Sequence, residues 1–130
     1  RAYTEENRKL IKKRMQEIID GIAKTFNATI KLNYKDGYPP LINDQTITKK
    51  LYNSAKTIVK NNVITPYLSM GGEDFSYFAN EVPGCFFFLG SAPQGSKPMS
   101  VPQHCSHFNI DEDAMLIGAS IFTELAYSNN

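Results

Sequence analysis

Two consecutive prolines constrain the fold of this chain more than any other feature. Pro39 and Pro40 lie in the segment Tyr38-Pro-Pro-Leu-Ile-Asn-Asp44. Each proline removes a backbone N–H donor and favours extended geometry at the residue before it, so regular structure cannot continue through the segment. We therefore predict a crossing between two subdomains. The 130 residues suffice for one domain with a modest core, which need not be a complete domain.

The part before the crossing predicts one long amphipathic helix followed by a strand. Thr4 can cap the helix, and Glu5 and Glu6 lie in its first turn, where carboxylates are stabilising. The apolar residues that recur at helical spacing are Leu10, Ile11, Met15, Ile18, Ile19, Ile22 and Phe26. Polar and apolar residues alternate over residues 29–34, which predicts a half-solvated strand. Arg1 looks like the end of an earlier strand, so we expect this chain to be the C-terminal piece of a longer enzyme.

The part after the crossing predicts three helices and two strands. A second helix starts after Asn43 or Asp44, a short helix ends near residue 80, and a last, largely apolar helix starts after Asp111. Residues 63–68 predict a short strand. The continuous apolar run over residues 85–89 is typical of a strand buried on both faces of a helix-flanked sheet. The fold class predicted from these elements is α/β, with an α+β portion before the crossing.

Composition gives little support for several functional classes. The formal net charge is +1, which supplies no general attraction to nucleic acid or to an acidic membrane. Apolar runs are far shorter than the ~20 residues that a membrane-spanning helix needs, and no signal peptide pattern is present. We therefore expect a cytoplasmic protein without nucleic-acid or membrane partners. Cys85 and Cys105 are too few for a disulfide framework, so we expect two free thiols.

Met70-Gly-Gly-Glu-Asp-Phe75 is better suited to a polar site than to a core. Its two glycines allow close approach of a ligand to the backbone. The carboxylates of Glu73 and Asp74 could recognise a polar substrate or support a metal ligand. Asp74 is also well suited to cap the short helix that follows. Glu73 is less easily explained as a cap, so it ranks ahead of Asp74 as a site residue.

His104 lies near the end of a long loop rich in proline and glycine, over residues 90–106. Loops of this length in a compact domain are usually functional. A neutral imidazole is a common zinc ligand, at roughly 2.0 Å, although the local sequence alone favours a simple surface histidine. His107 is a weaker candidate for the same metal. Cys105 beside His104 suggests a thiol nucleophile as a further alternative, for which no orienting Asn or Asp is identifiable.

Four segments together resemble the C-terminal portion of the metal-dependent amidohydrolase and carboxypeptidase family. They are the proline crossing over residues 38–44, the Met70 to Phe75 segment, residues 82–90 and residues 104–114. The family includes hippurate hydrolases, N-acyl-amino-acid deacylases and auxin-conjugate hydrolases. The resemblance implies a helix-flanked sheet in a di-metal catalytic domain and a ferredoxin-like lid domain. Residues 1–37 are then the C-terminal part of the lid, and residues 38–130 the C-terminal part of the catalytic domain.

The resemblance also implies roles for particular residues. His104 matches the last metal ligand of the family, which binds two divalent ions, usually zinc and sometimes manganese. Gly72, Glu73 and Asp74 border the substrate cleft, and Arg1 matches an arginine that meets a substrate carboxylate. The other metal ligands and the general-base glutamate have no counterpart here and are expected upstream. The lid of the family commonly mediates dimerisation, which implies a homodimer.

The function implied by the resemblance is hydrolysis of the amide bond in N-acyl amino acids or small peptides. One imidazole does not complete a zinc centre, so we expect the 130-residue chain alone to be inactive. The alternative is a noncatalytic association module from a split or truncated chain, in which the long helix and the strand contact another subunit.

Overall fold

The described residues form four α-helices. The computed structural model describes residues 1–63, 68–96 and 102–128. The helices are α1 (Glu5–Thr25), α2 (Gln45–Val59), α3 (Phe75–Glu81) and α4 (Asp113–Tyr127), and a 3₁₀ turn over Lys60–Asn62 directly follows α2. The long, second, short and last helices expected from the sequence are therefore confirmed.

The predicted α/β fold class is wrong for this structure. Within the ranges described, the chain contains helices and neither a strand nor a sheet. Residues 29–34 and 85–89, predicted as strands, have no regular secondary structure. A strand requires backbone hydrogen bonds to a neighbouring strand, whereas alternation or an apolar run shows only that a segment would suit one. The described residues provide these segments with no partner strand. Most of the short strand predicted over residues 63–68 lies outside the described ranges.

Side-chain caps explain where three of the helices begin. Thr4 accepts a hydrogen bond from the backbone N–H of Asn7 at 3.2 Å, ahead of α1. Asp44 Oδ1 accepts from the N–H of Ile47 at 2.9 Å, ahead of α2. Asp111 Oδ1 accepts from the N–H of Asp113, the first residue of α4, at 3.1 Å. Each satisfies a donor that has no partner within the helix, as the sequence predicted.

Contacts divide the chain into two compact units. The first unit comprises Arg1–Asn43 and Leu68–Pro83, and the second comprises Asp44–Tyr67 and Gly84–Asn130. The chain passes from the first unit to the second at Asn43 and Asp44, within the proline segment predicted as a crossing. The assignment of residues 1–37 to a lid and 38–130 to a catalytic domain stays a prediction.

The core of the second unit lies between α2 and α4. Leu51 and Ala55 of α2 are buried against Ile121 of α4. The partly buried residues around them are Val63, Cys85, Phe87, Ile117 and Leu125. Burying a side chain the size of Leu or Ile contributes about 1.5–3 kcal/mol, so this cluster fixes α4 on α2. The run over residues 85–89, predicted to be buried on both faces, is partly buried, and Phe88 is exposed.

Helix α1 belongs to the first unit and contacts the segment that follows it. Lys12 pairs with Asp36 at 2.8 Å and lies over the ring of Tyr34, 4.9 Å from its centroid. Helix α1 has no buried residue, and its apolar stripe is exposed apart from the half-buried Ile19. Within the described residues, this stripe is therefore largely uncovered. Among all the described residues, no helix is long and apolar enough to cross a membrane.

Candidate functional site

The structure brings Arg1 and the glycine loop together in the first unit. Arg1 Nη1 donates a hydrogen bond to the backbone carbonyl of Met70 at 2.7 Å. A Cβ atom built on Gly72 would lie 3.7 Å from Arg1 Nη2, so the guanidinium lies beside the backbone of Gly72. These residues are 69 and 71 positions apart in sequence, yet they form one local surface. Two of the predicted substrate-binding residues are thus neighbours.

The charge of Arg1 is not neutralised by an acidic side chain. Within the described ranges, the ion pairs of the arginines involve Arg8 with Glu5 and Arg14 with Glu17, and none involves Arg1. Arg1 is exposed, and one of its N–H groups donates a hydrogen bond to the Met70 carbonyl. A guanidinium carries five N–H donors in a fixed fork that matches a carboxylate. Arg1 therefore has both the charge and the donors to bind an anionic group.

Glu73, and not Asp74, makes the side-chain hydrogen bond at the start of α3. Glu73 Oε1 accepts from the N–H of Phe75 at 3.1 Å, and the Glu73 carbonyl accepts from the Ser76 hydroxyl at 2.7 Å. Asp74 has helical backbone angles, φ −73° and ψ −20°, and its side chain makes no capping bond. A capping residue normally has extended backbone, so Asp74 already lies inside the turn. The prediction that Asp74 caps α3 is wrong, and Asp74 has the more exposed carboxylate.

His104 lies in the second unit, in a loop whose two ends are joined. The N–H of Asp111 donates to the carbonyl of Ser91 at 2.8 Å, so the two ends of the loop lie next to each other. His104 is exposed and has φ +64°, in the left-handed region that few non-glycine residues adopt. Strained backbone of this kind clusters at active sites and ligand-binding loops.

The neighbours of His104 do not form a catalytic thiol pair or a metal site. Cys85 and Cys105 are free thiols, as predicted. His107 Nδ1 lies 3.2 Å from the hydroxyl of Ser106, and neither imidazole is hydrogen-bonded to Cys105 in the part of the chain described. The same part contains no group of three or more His, Cys, Asp or Glu residues close enough to hold a metal ion. The described residues alone therefore do not fit a zinc centre, which needs four convergent ligands.

Sequence patterns missed two features of the first unit. One is Tyr38, whose ring contacts the backbone of Gly72 and the ring of Tyr77. Its position before two prolines was the available signal, but it indicated a crossing and not a contact. The other is an open cleft of about 500 Å³, in which Arg8 is held by Glu5 and by the Gly37 carbonyl. It is lined by Glu5, Arg8, Gly37, Pro39, Pro40, Ile42, Tyr77 and Asn80.

Comparison with known proteins gives consistent matches over nearly the whole chain. Residues 5–128 match the model of peptidase family M20/M25/M40. An N-acetyldiaminopimelate deacetylase of Lactococcus lactis is 34% identical over 115 residues, which are 85% of this chain and 31% of that protein. Thermostable carboxypeptidase 1 of Saccharolobus solfataricus is 32% identical over 130 residues, 97% of this chain and 32% of that protein.

A solved structure agrees with these matches. The crystal structure of a protein assigned as an aminohydrolase, from methicillin-resistant Staphylococcus aureus, aligns with a TM-score of 0.77 and 28% identity. The alignment covers 95% of this chain and 31% of that one. The chain spans about a third of the length of the curated relatives it matches. Since the family model covers residues 5–128, the resemblance seen in the four motifs is confirmed and the chain belongs to peptidase family M20/M25/M40.

Proposed function

We propose that this chain is part of an enzyme that hydrolyses the amide bond of N-acyl amino acids, and that Arg1 binds the substrate carboxylate. The observation that carries the proposal is the Arg1 guanidinium, which is held by the Met70 carbonyl beside Gly72 and has no acidic partner among the described residues. An N-acyl amino acid has one carboxylate next to its scissile amide, so a fixed cation can orient that amide. Orientation of this kind lowers the barrier by removing unproductive geometries.

The relatives support this class of substrate. One is named as a deacetylase of N-acetyldiaminopimelate, an N-acylated amino acid, and another as a carboxypeptidase. Substrates of both kinds combine an amide with a nearby carboxylate. Small peptides are therefore the second substrate class for this enzyme, and Arg1 would bind their terminal carboxylate in the same way.

Gly72 and Asp74 complete the proposed substrate surface of this chain. Gly72 has no side chain to separate a ligand from the backbone. Asp74 is exposed and makes no capping bond, so its carboxylate is available to a polar group of the substrate. Glu73 is engaged at the start of α3, and we assign it to holding the loop in place.

We also propose that the full-length enzyme depends on two divalent metal ions, zinc or manganese, with His104 as one ligand. The described residues do not complete such a site, so the other ligands and the general base come from residues outside this sequence. For the same reason the 130-residue chain alone is expected to be inactive and to bind metal weakly. The chemistry assigned to this chain is binding and orientation of the substrate.

The exposed apolar stripe of α1 favours a second role in subunit association. Leu10, Ile18 and Phe26 are each more than half exposed on this helix. A continuous apolar surface of this kind is usually covered in the working protein. We propose that the full-length enzyme is a homodimer in which residues 1–37 contact the second subunit. A noncatalytic association module remains the alternative if no hydrolysis is found.

The test compares matched substrates on the full-length enzyme. One substrate is an N-acetyl amino acid, and the other is the same molecule with its carboxylate converted to a neutral amide. Arg1→Ala is expected to lower kcat/KM for the carboxylate substrate by about 10- to 100-fold, the effect of losing a charge-assisted hydrogen bond, with little change for the neutral one. Failure of the unsubstituted enzyme to hydrolyse any N-acyl amino acid or dipeptide would overturn the proposal.

A further inference from the structure

The ring of Tyr38 lies unusually close to the position that a side chain at residue 72 would take. A Cβ atom built on Gly72 would be 3.2 Å from Tyr38 Cδ2. Ordinary carbon–carbon contacts are about 3.5–4.0 Å, so the ring occupies the space in which a side chain at residue 72 would stand. Gly72 does not have a left-handed backbone, and an alanine could adopt its conformation. The glycine is therefore needed for the approach of the Tyr38 ring and not for its backbone angles.

Tyr38 also contacts the helix that follows this loop. Its ring meets the ring of Tyr77 edge to face, with centroids 5.9 Å apart and planes at 79°. Tyr77 lies in the first turn of α3, and the backbone N–H of Tyr77 donates to the Asp74 carbonyl at 3.0 Å. The Tyr38 ring thus contacts the segment 72–77 on both sides of Glu73 and Asp74.

Two observations separate this contact from ordinary core packing. Tyr38 is 51% exposed and Tyr77 is 54% exposed, so little apolar area is gained by placing an aromatic ring here. The backbone of Tyr38 is also restricted, because the following residue is Pro39 and proline favours extended geometry at its predecessor. A ring that is half exposed and carried on a stiff backbone is suited to holding its neighbours in place.

We propose that Tyr38 is a positioning residue for substrate binding. It holds the loop over residues 70–74 in the shape that places the Met70 carbonyl against Arg1 and the Gly72 backbone beside the same guanidinium. This inference rests on the proposed function, because it assigns to Tyr38 the placement of the carboxylate-binding arginine. The contact is made by a ring carbon, so the hydroxyl is not required.

Kinetics of the full-length enzyme test the inference through Tyr38→Ala and Tyr38→Phe. We expect Tyr38→Ala to raise KM for an N-acetyl amino acid by about 3- to 10-fold, the range for loss of an aromatic contact, with kcat within about twofold. Tyr38→Phe should match the unsubstituted enzyme. The neutral amide analogue should show a smaller rise in KM with Tyr38→Ala, because Arg1 does not bind it. Equal KM changes for both substrates, or no change for either, would overturn the inference.

A double substitution tests the contact itself. Gly72→Ala should raise KM by a larger factor when Tyr38 is present than in the Tyr38→Ala background, where the conflict with the ring is absent and only the effect of the methyl group on the substrate surface remains. Gly37→Ala is the matched control, since a Cβ atom at Gly37 meets nothing within 4 Å, and it should leave KM unchanged. Additive effects of Gly72→Ala and Tyr38→Ala would contradict the proposed contact.

Hydrogen exchange of the peptide over residues 68–75 distinguishes this inference from the proposed function. Tyr38→Ala should accelerate exchange in this peptide, and Tyr38→Phe should not. An enzyme without amidohydrolase activity whose loop is loosened by Tyr38→Ala would refute the proposed function, although Tyr38 would still hold the loop. An active enzyme with unchanged exchange and unchanged KM in Tyr38→Ala would refute the positioning role alone.

Discussion

Replacing Gly118 with alanine tests the packing that supports the loop carrying His104. Gly118 is buried within α4, and a Cβ atom built there would lie 3.0 Å from Leu89 Cδ2. Leu89 is two residues before Ser91, whose carbonyl closes the base of the loop by accepting from Asp111. The Gly118–Leu89 contact therefore fixes α4 against the segment from which the loop departs.

The magnitude follows from two opposing effects. Alanine is favoured over glycine in a helix interior by about 0.8–1.0 kcal/mol. Overpacking a buried position costs about 1–3 kcal/mol, and the Leu89 methyl group must move by about 0.5–1 Å to restore an ordinary contact. The expected net result for Gly118→Ala is a loss of unfolding free energy between about 0 and 2 kcal/mol, although propensity alone predicts a gain.

Urea unfolding followed by circular dichroism at 222 nm measures this balance, with two controls in the same unit. Ala119→Gly changes an exposed residue of α4 and should lower the free energy of unfolding by about 1 kcal/mol, which reports the local helix propensity. In a Leu89→Ala background, Gly118→Ala should become stabilising by a similar amount, because the conflicting methyl group is gone. Stabilisation by Gly118→Ala with Leu89 in place would refute the packing argument.

Three further predictions concern the core, a helix cap and the thiol. Ile121→Ala should lower the free energy of unfolding by about 2–4 kcal/mol, because Ile121 is 3% exposed. Leu116 is 71% exposed on the same helix, so Leu116→Ala should change this free energy by less than about 1 kcal/mol. Similar urea midpoints for the two variants would contradict this prediction. Asp44→Ala should lower the free energy of unfolding by about 1 kcal/mol, and Asp44→Asn should lower it much less, since the Asn side chain still accepts from the N–H of Ile47. Equal losses for the two variants in urea unfolding would exclude a capping role for Asp44. Cys105→Ser should leave hydrolysis by the full-length enzyme unchanged, while a chelator abolishes it. The opposite pair of results would favour a thiol nucleophile.

The helices were predictable because their signals are local. The apolar period of α1 and the caps Thr4, Asp44 and Asp111 lie within a few residues of the structure that they specify. The strands were not, because alternation over residues 29–34 shows which face suits a sheet but cannot supply a neighbouring strand. The helices were thus predicted correctly, whereas the predicted fold class was wrong.

The residues of the candidate site are predictions from the sequence, whereas their arrangement is seen only in the structure. Arg1 and Gly72 were chosen from the family resemblance, whereas their contact joins positions about seventy residues apart, which no local pattern reveals. The lack of a capping bond from Asp74 depends on the helical backbone angles at that residue, which no local pattern reveals. The left-handed backbone of His104 was not predicted either, since only a small fraction of histidines adopt that region even though histidine is enriched there.

That backbone decides how the role of His104 should be tested. Alanine at φ +64° is disfavoured by roughly 1–2 kcal/mol, so His104→Ala would combine strain with loss of the imidazole. Asparagine adopts the left-handed region readily, and His104→Asn therefore removes the ring with little strain. His107→Ala, three residues away, is the matched control because His107 has an ordinary φ.

The most direct test of the account is the metal content of the full-length enzyme, measured by elemental analysis alongside hydrolysis of an N-acetyl amino acid. We predict that His104→Asn loses bound metal and activity by more than the roughly 10- to 100-fold that loss of a supporting residue costs, while His107→Ala keeps both. Full retention of metal and activity in His104→Asn would contradict the assignment of His104 as a ligand and favour the association module.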